Sequence, residues 1–233
     1  MPYIKSTRLS QPQGRAEIDW TNPITNSLKG VILPAITNEI INGIYATVGT
    51  NDIRTVTASV GLGVKGLTSG VLVGWAYIGE WSRIAGDLTI LVVEQLWAIP
   101  SQSTRSAGNF QGGGSQGGYI LAPNGSNFRL FYIGADGVQV NVIGAPVDLK
   151  LHVNVGVVTS STLYLYNDGV VYTSSAPGFG AASSIDFTIL GDNGTVGSGM
   201  PAPSTIFATY VWNRALSKQE VLSISANPWQ LFK

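Results

Sequence analysis

Cysteine is absent from the 233 residues, histidine occurs once, and 13 basic and 13 acidic side chains make up only 11% of the chain. The missing thiols exclude a disulfide framework, a Cys-ligated zinc site and a thiol nucleophile. The single histidine, His152, gives poor support for a His-based metal site or a Ser-His-Asp triad. A net charge of zero provides no basic field for bulk binding to nucleic acid. Long apolar runs are missing too. The nearest, Leu88 to Pro100, contains Thr89, Glu94 and Gln95 and is too short and too polar to span a bilayer. The opening Met1-Pro2-Tyr3-Ile4-Lys5 lacks the apolar stretch of a signal peptide.

What is present is a chain that is 44% hydrophobic with 29 glycines. That is ample for a core and argues against global disorder. Surface polarity must come mostly from Ser, Thr, Asn, Gln and Gly. From Val31 onward the periodicity is mostly two. Val56, Ala58 and Val60 alternate with Thr55, Thr57 and Ser59. Leu149, Leu151, Val153, Val155 and Val157 alternate with Lys150, His152, Asn154 and Gly156, and Ile185, Phe187 and Ile189 with Asp186 and Thr188. Such patterns predict strands with one face on a core and one on solvent, which puts His152 at the surface. Leu88 to Trp97 is more continuously apolar, as a strand buried between layers would be.

Turn chemistry separates these runs. Ala135-Asp136-Gly137 divides Phe128–Ile133 from Val138–Ile143, and Asn167-Asp168-Gly169 divides Thr162–Tyr166 from Val170–Thr173. Both predict hairpins, because Asp-Gly tolerates the positive φ of a tight turn. Gly61-Leu-Gly-Val-Lys-Gly66 lacks the Lys-Ser/Thr ending of a phosphate loop and is expected to be a turn. Ser217-Lys-Gln-Glu220 fits a capping box, predicting a short helix that Asn227-Pro228 ends. The Gly-rich stretches Ser101–Gly118 and Gly191–Pro203 read as long loops. Residues 1–18 form an expected extended arm ahead of a single domain over 19–233. Lys5, Arg8 and Arg15 of that arm have no acid beside them in the first 15 positions, which makes them candidate docking residues.

Leu163-Tyr-Leu-Tyr-Asn-Asp-Gly169 and Val211-Trp-Asn-Arg-Ala-Leu-Ser-Lys-Gln-Glu220 resemble the closing hairpin, strand and helix of laminin-G-like domains in the concanavalin A-like jelly-roll superfamily. Ile18–Gly30 and Asn227–Phe232 further resemble the two ends of laminin-G-like proteins from tailed bacteriophages and prophages. The resemblance implies an all-β, two-sheet jelly-roll sandwich with one short C-terminal helix. It also implies a phage virion structural protein, a head decoration or accessory surface protein, docked on capsid or tail subunits as a homo-oligomer. The alternative it leaves open is a carbohydrate-binding tail or fibre module contacting host-surface glycans. Membrane insertion and nucleic-acid binding are not expected.

The fold also includes glycoside hydrolases, which need paired carboxyls roughly 5–5.5 Å apart in a retaining mechanism. The nearest pattern, Glu17-Ile-Asp19, lacks its last acid, so no catalytic residue is assigned; Asp19 is expected to be solvated or to cap the first turn. No cofactor or metal is expected. Some relatives bind calcium, and Asp168, Asp186 and Asp192 would be the available oxygens, although the family's ligands do not map onto them. The aromatics Trp75, Tyr77, Trp81, Tyr164 and Tyr166 are the candidate glycan-binding residues, since sugar rings stack on aromatic faces beside polar groups. Trp229 and Phe232 are further candidates for subunit docking, alongside a role in locking the closing helix to the sandwich.

Overall fold

A computed structural model describes residues 11–12, 16–33, 39–43, 46–49, 53–58, 61–66, 74–77, 80–100, 104–109, 118–181, 187–190, 200–201 and 203–233. Two sheets face each other, and all their described pairings are antiparallel. The first runs β14 (Val170–Ser175), β13 (Thr162–Asn167), β12 (Leu151–Val158), β6 (Leu88–Leu96), β17 (Ser204–Trp212), β4 (Gly61–Gly66) and β3 (Ile53–Ala58), with β1 (Leu28–Ile32) also against β17. The second runs β11 (Gln139–Pro146), β10 (Asn127–Ile133), β9 (Gly118–Asn124), β8 (Ala107–Gly108), β15 (Phe187–Ile189), β5 (Gly74–Tyr77) and β2 (Ala46–Gly49). A short parallel pair, β7 (Thr104–Arg105) with β16 (Met200–Pro201), lies beside them, and one helix, α1 (Lys218–Ala226), follows β17. The architecture is the expected two-sheet sandwich with a short C-terminal helix.

Local chemistry explains the connections. Asp168 and Gly169 both take positive φ, 50° and 86°, as a two-residue hairpin turn requires for its twist to match the strands. Ser217 caps α1: its Oγ accepts from the Glu220 N–H at 3.3 Å, while Glu220 Oε2 accepts from the Ser217 N–H at 2.8 Å. Arg214 grips the same carboxylate with both terminal nitrogens, at 2.9 and 2.7 Å. Those hydrogen bonds are the first reason the Glu220 carboxyl is held down at about 2. Arg214 Nε also donates to the Asn26 carbonyl at 2.9 Å, so one guanidinium ties helix, closing strand and N-terminal segment together.

The central strands of the first sheet, β12, β6 and β17, are buried on both faces. Toward the second sheet lie Leu88, Ile90, Val92, Leu163 and Leu165, packed on Tyr119, Leu121, Leu130 and Phe187. On its outer face Leu91, Val93, Val155, Tyr210 and Trp212 are covered by Ile18, Ile24, Val221, Ile224, Trp229 and Phe232. This third layer is made of the two ends of the domain. Ile18 bridges Phe232, Asp19 N donates to Leu231 O at 2.7 Å, and Lys233 N donates to Glu17 O at 3.0 Å. Part of the expected arm also packs on its own domain: Gln11 is buried, with Nε2 donating to Phe207 O at 2.9 Å and Oε1 accepting from Leu62 N at 2.6 Å.

Two sequence expectations are corrected here. Gly61–Gly66 is not a turn but strand β4, paired to β3 and β17. A Cβ on Gly63 would sit 2.6 Å from Thr205 Cγ2 and 2.8 Å from Ile206 O, so glycine serves close strand approach there. His152 does not face solvent. It is 7% exposed, while Leu149 and Leu151 are 51% and 36% exposed. The alternation fails because polar side chains on β12 are paired inside the sandwich. Ser106 Oγ donates to Glu94 Oε2 (2.6 Å), Asn154 Nδ2 to Glu94 Oε1 (2.9 Å), and Asn167 Nδ2 to Asn154 Oδ1 (2.8 Å). Asn167 Oδ1 then accepts from Ala145 N at 2.8 Å. The relay starts and ends on the second sheet's side and crosses β6, β12 and β13 between. Burial raises the Glu94 pKa against these hydrogen bonds.

His152 is held at both nitrogens, Nδ1 at 2.7 Å from Asp168 Oδ2 and Nε2 at 2.9 Å from Asp148 Oδ1, with Phe128 edge-on at 4.7 Å. Two acceptors suit the doubly protonated ring. Burial opposes that charge, but hydrogen bonds and charge from Asp168 and then Asp148 outweigh it and hold the pKa above its ordinary value. A raised folded pKa stabilises fully below the unfolded value of about 6.5 and is lost as pH rises through the folded value. Melting temperature should therefore fall as pH rises through that window, and His152→Gln should lack this limb. Glu94→Leu strands the Ser106 hydroxyl and the Asn154 amide, each at a cost of about 1–3 kcal/mol. Urea unfolding should register that loss, while Glu94→Gln, which keeps an acceptor, should lose about 1 kcal/mol or less.

Candidate functional site

The described hollow that offers mixed chemistry lies where the turn before β6 meets β1. It encloses about 520 Å³ and is lined by Lys29, Asn42, Trp81, Arg83, Ile84, Ala85, Gly86 and Asn213. Trp81 lies in a short 3-10 turn, Glu80–Ser82. Its ring sits 5.2 Å from that of Phe187 and against Gly30, where a Cβ would lie 2.2 Å from Trp81 Cζ3. Only glycine permits that approach. The Ser82 carbonyl beside it accepts from Asn109 Nδ2 (2.7 Å), Tyr119 Oη (3.1 Å) and Ile84 N (3.1 Å). Asn109 and Tyr119 belong to the second sheet's side, so that sheet fixes the loop carrying Trp81 and Arg83.

The opposite wall is equally anchored. Glu39 is fully buried, and its carboxylate accepts from Val31 N (2.8 Å), Ile41 N (2.9 Å), Asn42 N (2.5 Å) and Asn42 Nδ2 (2.8 Å). Asn42 Nδ2 also donates to Lys29 O at 2.9 Å. Asn42 Oδ1 and the exposed Asn213 amide carry no hydrogen bond to another described residue, which leaves them for a ligand. The described lining thus combines a fixed indole, two cations, two amides and no carboxylate.

The other sequence candidates are dispersed. Register sets Trp75 opposite Ile189 and Tyr77 opposite Phe187; their side chains lie outside the described residues. Tyr164 and Tyr166 stack at 6.5 Å on the outer face of the first sheet. Tyr166 is only 5% exposed, so its ring is closed to a sugar, because the terminal layer that the alternation pattern does not reveal covers that face. Trp229 and Phe232, 3% and 1% exposed, pack inside their own chain and are not free for a neighbouring subunit; the locking role is the one they perform. Lys5, Arg8 and Arg15 lie outside the described residues, as do Asp186 and Asp192. Asp168 is engaged by His152 and by Val153 N at 2.8 Å. Among the described residues no group of three or more His, Asp or Glu gathers as a metal site would need. Asp19 accepts from Thr21 Oγ1 at 2.6 Å and Thr21 N at 3.1 Å, the capping role expected of it. Among the sequence candidates with described side chains, only Trp81 joins the hollow. Lys29, Asn42, Arg83 and Asn213 carry no local sequence signal.

A family profile described as the concanavalin A-like lectin/glucanases superfamily, of laminin-G type, matches residues 93–222, more than half of the chain. The chain belongs to that superfamily. The match takes in the relay, the Asp168-Gly169 hairpin and the Arg214–Glu220 clasp. Most of the hollow, from Lys29 to Gly86, lies outside it. No curated protein matches the sequence.

Solved structures share the fold. The binding domain of Paraclostridial Mosquitocidal Protein 1 aligns with a TM-score of 0.67 at 11% identity, over 87% of this chain and 52% of that one. Domain 4 of AbnA, an extracellular arabinanase from Geobacillus stearothermophilus solved with arabinotriose, aligns at 0.66 and 12% identity, over 85% and 98%. Trypanosoma rangeli sialidase aligns at 0.62 and 17% identity over 87% of this chain, which spans about a third (33%) of that enzyme's length.

Gly30→Ala should force Trp81 off Phe187 at a cost of about 1–3 kcal/mol, as overpacking does. The check is a lower urea midpoint with a changed near-ultraviolet circular dichroism signal.

Proposed function

We propose that this protein is a non-catalytic carbohydrate-binding module that uses the Trp81 hollow. The observation that carries this reading is the hollow's make-up: a rigid indole beside Asn42 Oδ1 and the Asn213 amide, on a lectin-type sandwich, with no carboxylate among its described lining residues. A rigid aromatic wall binds the apolar face of a pyranose at little entropic cost, and the amides fit its hydroxyls. Hydrolysis would need a pair of carboxyls across a bond, and none is among the described residues that line this site. Two of the structural neighbours are binding domains or a domain holding an oligosaccharide, which supports the reading through shared fold.

The setting we propose is the surface of a phage particle. Supporting it is the union of the two segments that resemble phage laminin-G-like proteins. Ile18–Gly30 and Asn227–Phe232 pack as one layer, so the resemblance falls on one structural unit rather than two coincidental stretches. A decoration or accessory role on capsid or tail subunits fits the same setting, with the arm bearing Lys5, Arg8 and Arg15 as its anchor.

A glycan array probed with the full chain should return at least one glycan class. Trp81→Leu, checked for cooperative melting, should lose that signal by about tenfold or more, the worth of a stacked ring. A blank array would sink the lectin reading. Mass spectrometry of intact particles should find the chain, and removal of residues 1–15 should abolish its incorporation.

A further inference from the structure

We propose that two copies of this chain join through β14, edge to edge and antiparallel, so that their first sheets form one continuous sheet about a two-fold axis at Thr173. The proposal does not rest on the lectin reading above. β14 is the last strand of the first sheet. It pairs with β13 in regular register along its whole length, and no described strand lies on its other side. Its sequence, Val170-Val-Tyr-Thr-Ser-Ser175, has no charge, proline or glycine. Val170, Val171, Thr173 and Ser175 are exposed, the two valines at 59% and 41%. A bare edge of this kind is a template for another strand, and folded proteins normally blunt it with charge, proline, a bulge or short length.

The other described edges of the two sheets show those devices. β11 runs in irregular register opposite Asn127 to Arg129 and ends on Pro146. β3 includes Arg54, and β2 is only 4 residues long. β1 carries Lys29, and its outer side is met by Glu39, which accepts from Val31 N, and by Ile40 N, which donates to Val31 O. Among these described edges β14 alone has none of them.

Hairpin parity decides which backbone groups this edge offers. Asn167 and Val170 close the turn at Asp168-Gly169, and Ala176 N donates to Ser161 O at 2.9 Å. Residues 170, 172, 174 and 176 therefore bond toward β13, and the N–H and C=O groups of Val171, Thr173 and Ser175 point away from it. No backbone group of another described residue takes these up. In an antiparallel pairing centred on Thr173, Thr173 faces Thr173 of the other copy and Val171 faces Ser175. Every offered donor then meets an acceptor and none is left over. That self-complementarity selects a second copy over a strand of another protein. Charge agrees with it. The strand carries nothing to repel its twin, and the chain has a net charge of zero, which favours association. Val170 and Leu222, 59% and 40% exposed, add apolar surface beside the turn, where Leu222 Cδ2 lies 3.2 Å from the place a Cβ on Gly169 would take.

The test is sedimentation velocity of the full chain from micromolar to millimolar concentration, which should show a monomer–dimer equilibrium. Thr173→Lys changes an exposed side chain, so it should melt like the parent. It sets two like charges opposite each other on the axis and should raise the concentration of half-dimerisation about fivefold or more. Because the chain has no cysteine, Thr173→Cys introduces a single thiol. The paired Cα atoms would lie about 5.5 Å apart, so a short bis-thiol cross-linker should join two chains. Gln139→Cys, on the exposed edge of β11, should give only background. A monomer at every concentration, a dimer that Thr173→Lys leaves unaltered, or a Thr173→Cys chain that links no better than Gln139→Cys would each overturn the proposal. A blank glycan array would remove the lectin reading and leave this one standing.

Discussion

Burial of one sheet's central strands on both faces is the constraint from which the rest of this molecule follows. β6 and β17 run through the middle of that sheet with almost no solvent contact, so any polar group on them must find a partner inside the protein. The Glu94–Asn154–Asn167 relay answers that demand for Glu94 between the sheets, and the terminal layer answers it for Tyr210 and Trp212 outside. There Trp212 Nε1 donates to Ile24 O at 2.7 Å, and the Tyr210 hydroxyl to Pro228 O at 2.8 Å. A two-layer sandwich would expose the outer face of this sheet. The chain closes it with its own ends and one helix, and the Arg214–Glu220 clasp fixes that helix in place.

The same closure creates the hollow. β1 lies against β17 because the N-terminal segment must cross the outer face, and this brings Lys29 and Gly30 up to the turn that precedes β6. The second sheet reaches the same turn from the other side through Asn109 and Tyr119. Trp81 is thereby clamped between Gly30 of the first sheet and Phe187 of the second. A concavity with rigid walls is the outcome, and rigidity is what makes weak stacking and single hydrogen bonds useful for recognition.

Features set by a few adjacent residues were legible in the sequence. The Asp168-Gly169 turn, the Ser217–Glu220 cap and the strand runs around them depend on local backbone preference, and the fold class followed from them. Features set by layers were not. His152 and Asn154 read as solvent-facing because alternation signals two faces of different polarity, not what lies over each. Gly61–Gly66 read as a turn because glycine serves tight turns and close strand contacts alike. Trp229 and Phe232 offered themselves as docking groups only while the layer they complete was unseen. The hollow draws on residues 29, 42, 81, 83–86 and 213, and of these only Trp81 stood out, since an exposed lysine or asparagine carries no mark of what will be brought beside it.

The pairing of the two ends has a mechanical consequence. Ile18 and Phe232 pair antiparallel, with Glu17 beside Lys233 and Asp19 beside Leu231. A pull on both ends therefore enters the ladder from one side and loads its hydrogen bonds one after another, as a zipper does, instead of shearing them all at once. Tethered at both ends and stretched, the domain would yield first at its outer seam. The sandwich between β6 and the second sheet would carry load only after that layer had peeled away.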